Sequence, residues 1–366
     1  MRLLIDARYV RAGFHDGISR YTASLLHALY TLKQQNNTEE LEGIEIAMAI
    51  SDPNQLTMLP PFPHLLTHSP TSILEPLSAL ILNRYHPDVL FSPMQTIGSW
   101  GRKFRLILTL HDLIYYSHPK PPSFLPLPIQ WGWLLFHKTY LPQRLLLNRA
   151  DAVATVSHTT ADLIQKNRLT HRPVWVIPNA PQHPPTPSTT PLSHRNKQLI
   201  YMGSFMPYKN VETLLLAMQK LPDYTLHLLS RISPTRLTEL KPLMRKNIVI
   251  HNGVSEEEYT QLLRESFALL TASKDEGYGL PVVEAQSAGC PVIISDIDIF
   301  REIAPHSLRF SPENSTQLVQ QVRKLENKQI YLQAQEQGYD DVHRFSWHNS
   351  ALELIKRLRE LPTKKY

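Results

Sequence analysis

Cysteine is almost absent from this chain: Cys290 is the single one among 366 residues. An internal disulfide is therefore excluded, which fits a reducing compartment such as the cytosol. Neither a cysteine cluster nor a His-Glu-x-x-His sequence occurs, so the residues offer no zinc site of a familiar kind. Gly-x-Gly-x-x-Gly and Gly-x-x-x-x-Gly-Lys-Ser/Thr are also missing, which argues against a dinucleotide-binding fold of that type and against a P-loop.

Long apolar runs are missing as well. The opening segment MRLLIDARYV has too short an apolar run for a signal peptide, and Asp6 interrupts it. No stretch approaches the roughly 20 apolar residues of a membrane span. The nearest one, Phe124 to Phe136, is shorter, contains two prolines and is followed by His137 and Lys138. We therefore expect a cytoplasmic protein.

Charge of one sign is only mildly in excess. The 38 lysines and arginines exceed the 32 aspartates and glutamates by six, and they form no dense block and no basic heptad. We therefore expect no nucleic-acid partner. A mildly basic surface still suits anionic lipid or a phosphorylated substrate.

What the sequence does contain is a repeated alternation of short apolar runs with segments of helical period, such as Gly17 to Leu32. This alternation indicates an α/β fold with parallel sheets covered on both faces. It stops at the proline-rich stretch that begins at Pro181 and restarts at Leu199. The sequence therefore predicts two Rossmann-like domains at 1–181 and 199–345, a linker at 182–198 and a C-terminal helix at 346–366.

Two α/β domains joined in this way are expected to leave a cleft between the carboxyl edges of their sheets, where ligands of such folds bind. Local signals define the second domain best. Ser255 followed by Glu258 is typical of a capping box, and Pro281 and Gly289 suit the start and the end of a helix. Ser346 is expected to cap the last helix, whose place in the fold the sequence leaves open.

The stretch EGYGLPVVEA carries two glutamates, Glu276 and Glu284, separated by seven residues. Gly277 and Gly279 let the backbone approach a ligand closely, and the helix that starts near Pro281 offers its amides to an anion or to sugar hydroxyls. A carboxylate can accept two hydrogen bonds from neighbouring hydroxyls. Two such carboxylates could hold two diols of one ligand. The alternative is a pair of solvated glutamates on a loop and on a helix.

Three further features are candidate ligand-binding positions that also have an ordinary structural explanation. Lys209 lies at a strand-to-helix turn, where it can pair with a diphosphate, although a surface lysine is the alternative. His111 and Asp112 follow a predicted strand, where a polar pair is well placed for a ligand cleft. The alternative, which is the more common one, is a His-Asp pair whose side chains only satisfy each other's hydrogen bonds. Gly17 enters the first helix. The aspartates of the Ser-Asp-Ile-Asp sequence at 295–298 are spaced like a metal-binding pair, but nothing around them supports a metal role, and we expect no metal.

Taken together, these motifs resemble glycosyltransferase family 4, retaining enzymes of the GT-B fold. EGYGLPVVEA is similar to the Glu–seven residues–Glu motif of that family, GSFMPYKN to its phosphate-contact turn, HDL to its first-domain histidine motif and DGISRYTASLL to its glycine loop and first helix. VIPNA and FSWHNSA resemble the close of the first domain and the start of the final helix. The order and the spacing of the motifs agree over most of the chain.

The resemblance implies a role for each motif. Glu284 would accept from the donor ribose, Glu276 would contact the transferred sugar, and Lys209 would neutralise the diphosphate leaving group. His111 would lie beside the sugar, near its O6 end. Backbone groups would complete the site, with Gly17 near the phosphates or the acceptor. The implied donor-binding positions also include Gly203, Ser204, Val254, Gly277, Tyr278, Gly279 and Leu280.

The sequence departs from the family at the phosphate-contact turn. Where the family often has an arginine, this chain has Ser204 or Tyr208. Lys209 would then act alone, or Arg231 would supply the second charge. The segment 119–138 is unusually bulky and apolar for the family. It is either a surface that faces lipid or acceptor, as at the inner face of the membrane, or a loop packed on its own domain.

The resemblance implies a retaining, metal-independent glycosyltransferase that needs no cofactor and uses a nucleotide sugar as its donor substrate. GDP-mannose is the favoured donor because the opening motifs resemble mannosyl-transferring members, and UDP-sugars stay open. The acceptor would be a glycan or a lipid-linked saccharide. The alternative is a catalytically silent GT-B relative that serves as a binding or partner subunit. A GT-B epimerase or phosphorylase is a third class, although the sequence has no pattern for a pyridoxal phosphate lysine.

Overall fold

The computed structural model describes residues 1–13, 16–35, 39–121, 126–185 and 196–362. The chain divides into two compact units. Unit 1 comprises Met1–Asn179 together with Ser346–Tyr366, and unit 2 comprises Ala180–Phe345. Each unit is an α/β layer structure around its own parallel sheet.

Unit 1 begins with strands and helices that alternate along the chain. Its strands are β1 Arg2–Asp6, β2 Glu45–Ile50, β3 His64–Leu66, β4 Val89–Ser92, β5 Arg105–Thr109, β6 Ala152–Thr155 and β7 Val174–Val176. Its helices up to Asn179 are α1 Gly17–Gln34, α2 Ser78–Leu82, α3 Ile114–Ser117, α4 Leu127–His137, α5 Leu141–Leu147 and α6 His158–Lys166. The strand order is β3-β2-β1-β4-β5-β6-β7, and neighbouring strands are parallel.

Unit 2 repeats this scheme. Its strands are β8 Asn196–Tyr201, β9 Thr225–Leu228, β10 Ile248–Ile250, β11 Ser266–Thr271, β12 Val292–Ser295 and β13 Leu308–Phe310. Its helices are α7 Val211–Met218, α8 Pro234–Leu240, α9 Glu256–Glu265, α10 Leu280–Ser287, α11 Asp298–Ile303, α12 Ser315–Leu325 and α13 Lys328–His343. The parallel strands follow the order β10-β9-β8-β11-β12-β13.

The last helix, α14 Trp347–Glu360, belongs to unit 1. Ser346 caps it by accepting a hydrogen bond from the Asn349 amide, as the sequence predicts. Its apolar stripe, including Ala351 and Leu354, is buried, and the helix packs against α1. The chain therefore returns to the first unit after it completes the second.

Buried strands explain why both sheets form. All five residues of β5 and all six of β11 are buried, which is the pattern of a parallel strand covered on both faces. Burying these side chains contributes about 25 cal/mol for each Å² of apolar surface removed from water. The α/β class and its parallel sheets, both predicted from the alternation of the sequence, are confirmed.

Some local predictions need correction. β8 begins at Asn196, so 196–198, which we placed in the linker, belong to a strand, and the linker residues 186–195 lie outside the described residues. The polar character of 196–198 suits the start of this strand, where Lys197 pairs with Asp223 at 2.6 Å. The predicted capping box at α9 forms in one half. Ser255 caps the helix by accepting a hydrogen bond from the Glu258 amide, but the Glu258 carboxylate lies 3.5 Å from His251.

Candidate functional site

The direction of strand order reverses in unit 2 between β8 and β11, which are neighbours in the sheet. A crevice at the carboxyl ends of such strands is the usual ligand site of an open α/β sheet. The chain that leaves β8 carries Lys209, and the chain that leaves β11 carries Glu276. Their side chains meet here, with Lys209 Nζ 2.6 Å from Glu276 Oε1.

This ion pair is largely shielded from water. The Lys209 side chain is 16% exposed and that of Glu276 is 11% exposed. Ser273 Oγ donates a second hydrogen bond to Glu276 Oε1 at 2.7 Å. Both of these bonds end on Oε1, and the Oε2 atom takes part in neither of them.

Asn210 holds the lysine turn in place, a role that the sequence analysis missed. Its backbone is left-handed, with a φ of 53°, and its side-chain amide donates to Ala272 O at 3.1 Å and to Pro312 O at 2.6 Å. These bonds tie the residue after Lys209 to the chain just beyond β11. A signal was present in the sequence, because asparagine tolerates the left-handed region better than most residues.

Gly203 and Ser204 lie at the start of the same turn. The Gly203 amide donates to Ser230 Oγ at 3.0 Å, and Ser204 O accepts from the Tyr201 hydroxyl at 2.6 Å. A Cβ on residue 203 would lie 2.9 Å from that hydroxyl oxygen. The turn therefore favours a glycine here because the Tyr201 side chain passes beneath it.

Two arginines lie near these turns, and they differ in position. Arg231 is exposed, and its side chain packs on Gly253, the residue before Val254. A Cβ added to Gly253 would lie 3.2 Å from Arg231 Cγ and Nε. Arg236 donates from Nε to Phe205 O at 2.9 Å, inside the lysine turn, and also pairs with Glu212 at 2.6 Å. The sequence pattern indicated Arg231 but not Arg236, whose proximity to the turn depends on the tertiary fold.

Helix α10 carries the second glutamate of the motif. Gly279 is its N-cap and has a φ of 98°, and Pro281 is the second helical residue. Tyr278 is buried, and burial raises the pKa of its hydroxyl. Glu284 lies on the second turn of α10 and is 8% exposed.

Alanine at position 279 is expected to destabilise unit 2 by about 3 kcal/mol or more. The new Cβ would lie 2.6 Å from Phe300 Cε1, and its backbone would be held at a strained positive φ. Gly17→Ala is the matched control, because a Cβ there meets no atom within 4 Å. Urea unfolding of both variants checks this, and equal midpoints would contradict it.

A cavity of 230 Å³ adjoins Glu284 inside unit 2. Tyr259 and Arg264 of α9 and Ser287 of α10 also line it, together with His183. Ser287 Oγ donates to His183 O at 2.8 Å, which fixes the segment after Ala180 against α10. Tyr259 and Arg264 carry no signal in the sequence that marks them as cavity residues, because α9 follows the charged pattern of an ordinary surface helix.

His111 lies in unit 1, just beyond the end of β5. Its Nε2 lies 2.8 Å from Pro93 O, and since a carbonyl only accepts, Nε2 carries the proton. Burial lowers the pKa of His111 from its ordinary 6.5, although the hydrogen bond to Pro93 opposes this. The ring is therefore neutral at pH 7, and its Nδ1 presents a lone pair.

Asp16 is the N-cap of α1 and accepts from the Ser19 amide at 2.9 Å. Gly17 follows it as the first helical residue, and the Asp16 carboxylate also pairs with Arg11 at 2.9 Å. A side chain thus already occupies the anion position at this helix end. The backbone position that needs glycine is Gly13, with a φ of 85°.

In the segment 119–138, residues 122–125 lie outside the described residues, and α4 follows them. Trp131 is 68% exposed and Leu127 is 72% exposed, so α4 leaves large apolar side chains in contact with solvent. Across the described ranges, no helix combines the length and hydropathy needed to cross a bilayer.

The aspartates of the Ser-Asp-Ile-Asp sequence share one arginine. Arg301 bonds Asp296 at 2.8 Å and Asp298 at 3.1 Å, and Arg309 approaches Asp296 at 3.4 Å. A guanidinium therefore neutralises these two carboxylates.

Two family models match the chain along most of its length. The model described as "Glycosyltransferase Family 4" matches residues 16–180, and the model described as "Glycosyl transferases group 1" matches residues 186–341. The solved structure of sucrose-phosphate synthase from Thermosynechococcus elongatus superposes with a TM-score of 0.71 over 98% of both chains, at 16% identity. This likeness concerns the fold and confirms the predicted GT-B architecture.

Among curated proteins, the chain is 31% identical over 169 residues to the serotype-specific mannosyltransferase WbdA of Escherichia coli, which covers 43% of this chain and 20% of WbdA. It therefore spans about a fifth of that relative. It is 25% identical over 235 residues to the O-antigen chain mannosyltransferase RfbU of Salmonella typhimurium, which covers 60% of each protein. By its two matched segments and its fold, the chain belongs to the group 1, family 4 glycosyltransferases.

Proposed function

We propose that this protein transfers mannose from GDP-mannose to a glycan or a lipid-linked saccharide, with retention of anomeric configuration and without a metal. The observation that carries the proposal is the Lys209–Glu276 pair at the β8/β11 edge, with Glu284 on the helix that follows. These groups supply one cation for a diphosphate and two carboxylates for sugar hydroxyls.

The chemistry follows from the charge that develops in the reaction. When the sugar leaves the diphosphate, negative charge grows on the leaving oxygen, and a preorganised cation stabilises it. Lys209 has three N–H donors, of which one bonds Glu276, so others remain for phosphate oxygens. In this proposal the backbone of 277–280 and Arg231 assist, and Val254 meets the base.

Retention follows if the acceptor attacks from the face that the diphosphate leaves. The leaving phosphate oxygen then takes the proton of the acceptor hydroxyl, and no carboxylic acid is needed. Glu276 positions the sugar, which fits its double hydrogen bond to Lys209 and Ser273. In unit 1, the neutral His111 accepts a hydrogen bond from a sugar hydroxyl through Nδ1.

Mannose is favoured over other sugars because WbdA and RfbU are both named mannosyltransferases. UDP-glucose and UDP-N-acetylglucosamine are the competing donors. The competing function is a silent GT-B relative that binds a partner, which the lack of an arginine beside Lys209 favours.

Incubation with GDP-mannose, UDP-glucose and UDP-N-acetylglucosamine in the presence of EDTA separates these proposals. We expect release of GDP from GDP-mannose alone and, with a mannoside acceptor, an α-anomeric product signal in proton NMR. A β-anomeric product would refute retention. No turnover of any donor would refute the enzymatic function and leave the binding subunit.

The pH dependence of turnover is expected to reflect His111. Because burial lowers its pKa below 6.5, kcat/KM should stay level from pH 8 to pH 6.5 and fall only below that, as Nδ1 becomes protonated. His111→Gln should remove this acid limb and lower kcat/KM about tenfold or more. An acid limb that survives in the variant would contradict the assignment.

The lowered pKa also has a consequence for stability. As pH falls, the His111 ring of the unfolded chain is protonated near pH 6.5, whereas that of the folded chain is protonated only at lower pH. Protonation therefore favours the unfolded chain, and the free energy of unfolding decreases as pH falls through 6.5.

We further propose that the outer face of α4 and α5 contacts an anionic membrane surface. Trp131, Leu135 and Leu145 are each more than 60% exposed there. Residues 119–172 carry seven lysines and arginines against two aspartates, so this part of unit 1 holds most of the excess positive charge. Apolar side chains that enter the lipid interface among basic residues are typical of peripheral membrane attachment.

Trp131→Gln is expected to weaken binding to vesicles that contain phosphatidylglycerol about tenfold, since partial insertion of a tryptophan contributes about 1–2 kcal/mol. Co-sedimentation at low and high salt measures this, and higher salt should weaken binding further. Equal binding of the variant and the wild type, or equal binding to neutral phosphatidylcholine vesicles, would contradict the proposal.

A further inference from the structure

The lysine turn, residues 203–210, is bonded by the side chain of Arg236 from helix α8. The guanidinium donates from Nε to Phe205 O at 2.9 Å and from Nη2 to Glu212 Oε1 at 2.6 Å. Phe205 precedes Lys209 in the turn, and Glu212 follows it in the first turn of α7. One planar group therefore bonds the chain on both sides of the lysine.

A third bond fixes the guanidinium itself. Its Nη1 donates to Glu239 Oε2 at 2.9 Å, and Glu239 lies three residues further along α8, the helix that carries Arg236. The Arg236 side chain is 16% exposed, whereas those of Glu212 and Glu239 are 36% and 57% exposed. Because a guanidinium presents its donors in a rigid fork, three such bonds hold it in one orientation. Arg236 therefore links α8 to the lysine turn with a defined geometry.

The second half of the turn is attached to the chain that follows β11. Tyr208 O accepts from the Lys274 amide at 2.8 Å, and the Asn210 side chain donates to Ala272 O at 3.1 Å. Residues 208 and 210 are thus bonded to the β11 side of the site, while Arg236 makes the attachment at residue 205. The backbone that carries Lys209 is held at both ends.

The bonds of Arg236 give it a role different from that of Lys209. Its Nε, Nη1 and Nη2 each already donate to a protein oxygen, and two of these oxygens belong to carboxylates whose negative charge outweighs its own. Such a group attracts a diphosphate weakly. What it supplies is position, and the position of a group that meets developing charge strongly affects the rate.

We infer that Arg236 is a positioning residue for the proposed glycosyl transfer: it fixes the backbone of the lysine turn and so directs Lys209 Nζ to the leaving diphosphate. The inference rests on the proposed function, because Lys209 meets the phosphate only if that transfer occurs. Arg236 itself touches no substrate and acts through the lysine.

Double-variant kinetics test this dependence. Arg236→Gln should lower kcat about tenfold, since a displacement of about 1 Å can cost up to about 10²-fold, and should change the donor KM less than threefold. In the Lys209→Met background, Arg236→Gln should lower kcat less than twofold further, because no charge is left to position. A full tenfold further loss would overturn the inference, since Arg236 would then act on the substrate by itself.

The partners of Arg236 and a second arginine supply the controls. Glu212→Met removes the partner on α7 and should lower kcat about threefold, whereas Glu239→Met removes a partner on α8 itself and should lower kcat less than twofold. Arg236→Lys should not restore activity, because one ammonium cannot replace the fork that bonds Phe205 O and Glu212 together. Arg245→Gln should leave kcat unchanged, since exposed Arg245 bonds two carbonyls of its own segment. Wild-type activity in Arg236→Lys would overturn the inference.

Amide hydrogen exchange separates the failure of this inference from the failure of the proposed function. The amides of Lys209 and Asn210 donate to Met206 O at 2.9 Å and to Pro207 O at 3.1 Å within the turn. Arg236→Gln should speed their exchange about fivefold or more, while the amides of β11 exchange as before. This measurement needs no substrate.

The two measurements together leave distinct outcomes. If the wild type turned over no donor, the proposed function would fail, and faster exchange at the turn would still support the positioning of Lys209 by Arg236. Unchanged exchange at the turn would overturn the inference whatever the activity. A lower melting temperature of Arg236→Gln with unchanged kcat would also overturn it, because Arg236 would then only stabilise the fold.

Discussion

Replacement of Lys209 by methionine is expected to lower kcat about 10²- to 10³-fold, the usual cost of removing one preorganised group from developing negative charge. Methionine keeps the length of the side chain, so the change removes the charge and little packing. Among the described residues, the lysine side chain is the one cation seen bonded to Glu276 at the β8/β11 edge. KM for the donor should change much less than kcat, because the charge that Lys209 meets is largest in the transition state.

The control for Lys209 is Lys274→Met. Lys274 lies in the neighbouring loop and pairs with Glu313 at 2.6 Å on the surface, so its loss should leave kcat unchanged. Lys209→Met also leaves Glu276 without its cation, which should destabilise unit 2 by about 1–3 kcal/mol. The double variant Lys209→Met/Glu276→Gln should recover stability but not activity. A kcat within threefold of the wild type in Lys209→Met would contradict the assignment.

Glu284→Gln is expected to weaken donor binding and to leave kcat nearly unchanged. We expect the dissociation constant of the donor to rise about 10- to 100-fold. A hydrogen bond to a charged acceptor is worth about 1.5–3 kcal/mol, and tenfold in affinity is about 1.4 kcal/mol. Glutamine preserves the shape of the side chain but replaces one accepting oxygen by a donor. Because ribose bonds persist from ground state to transition state, kcat at saturation should fall less than threefold.

The control for Glu284 is Glu257→Gln. Glu257 is exposed in the first turn of α9, so its replacement should leave GDP affinity unchanged. Isothermal titration with GDP, which lacks the sugar, isolates the nucleotide contribution. Equal GDP affinity in Glu284→Gln and in the wild type would show that this carboxylate does not hold the ribose.

The sequence was most informative where local rules apply. The apolar runs predicted the strands because a parallel strand is buried on both faces, and Ser346 marked the start of α14 because its hydroxyl can cap the helix. The Glu276-to-Glu284 motif combined a glycine turn with a helix start, and the structure has Gly279 at a positive φ in that turn. The roles of the two glutamates stay a prediction.

The sequence was least informative where the fold brings distant residues together. Asn210 anchors the lysine turn to Ala272, 62 positions away, and Arg236 reaches Phe205, 31 positions away. Packing also buries the polar atoms Tyr116 Oη, Trp133 Nε1 and Gln143 Nε2, which find no hydrogen-bond partner among the described residues. Periodicity predicts which side chains are apolar, but it does not tell which buried donors lack a partner.

The thermal midpoint of the protein with GDP-mannose tests the central claim, that unit 2 binds a nucleotide sugar through Lys209 and Glu284. At a ligand concentration 100 times the dissociation constant, binding adds about 2.7 kcal/mol to the free energy of unfolding, which should raise the midpoint by about 5 °C or more. We expect this shift with GDP-mannose, a smaller one with UDP-glucose and almost none in Glu284→Gln. A wild-type midpoint that no nucleotide sugar moves, or an equal shift in Glu284→Gln, would contradict the account.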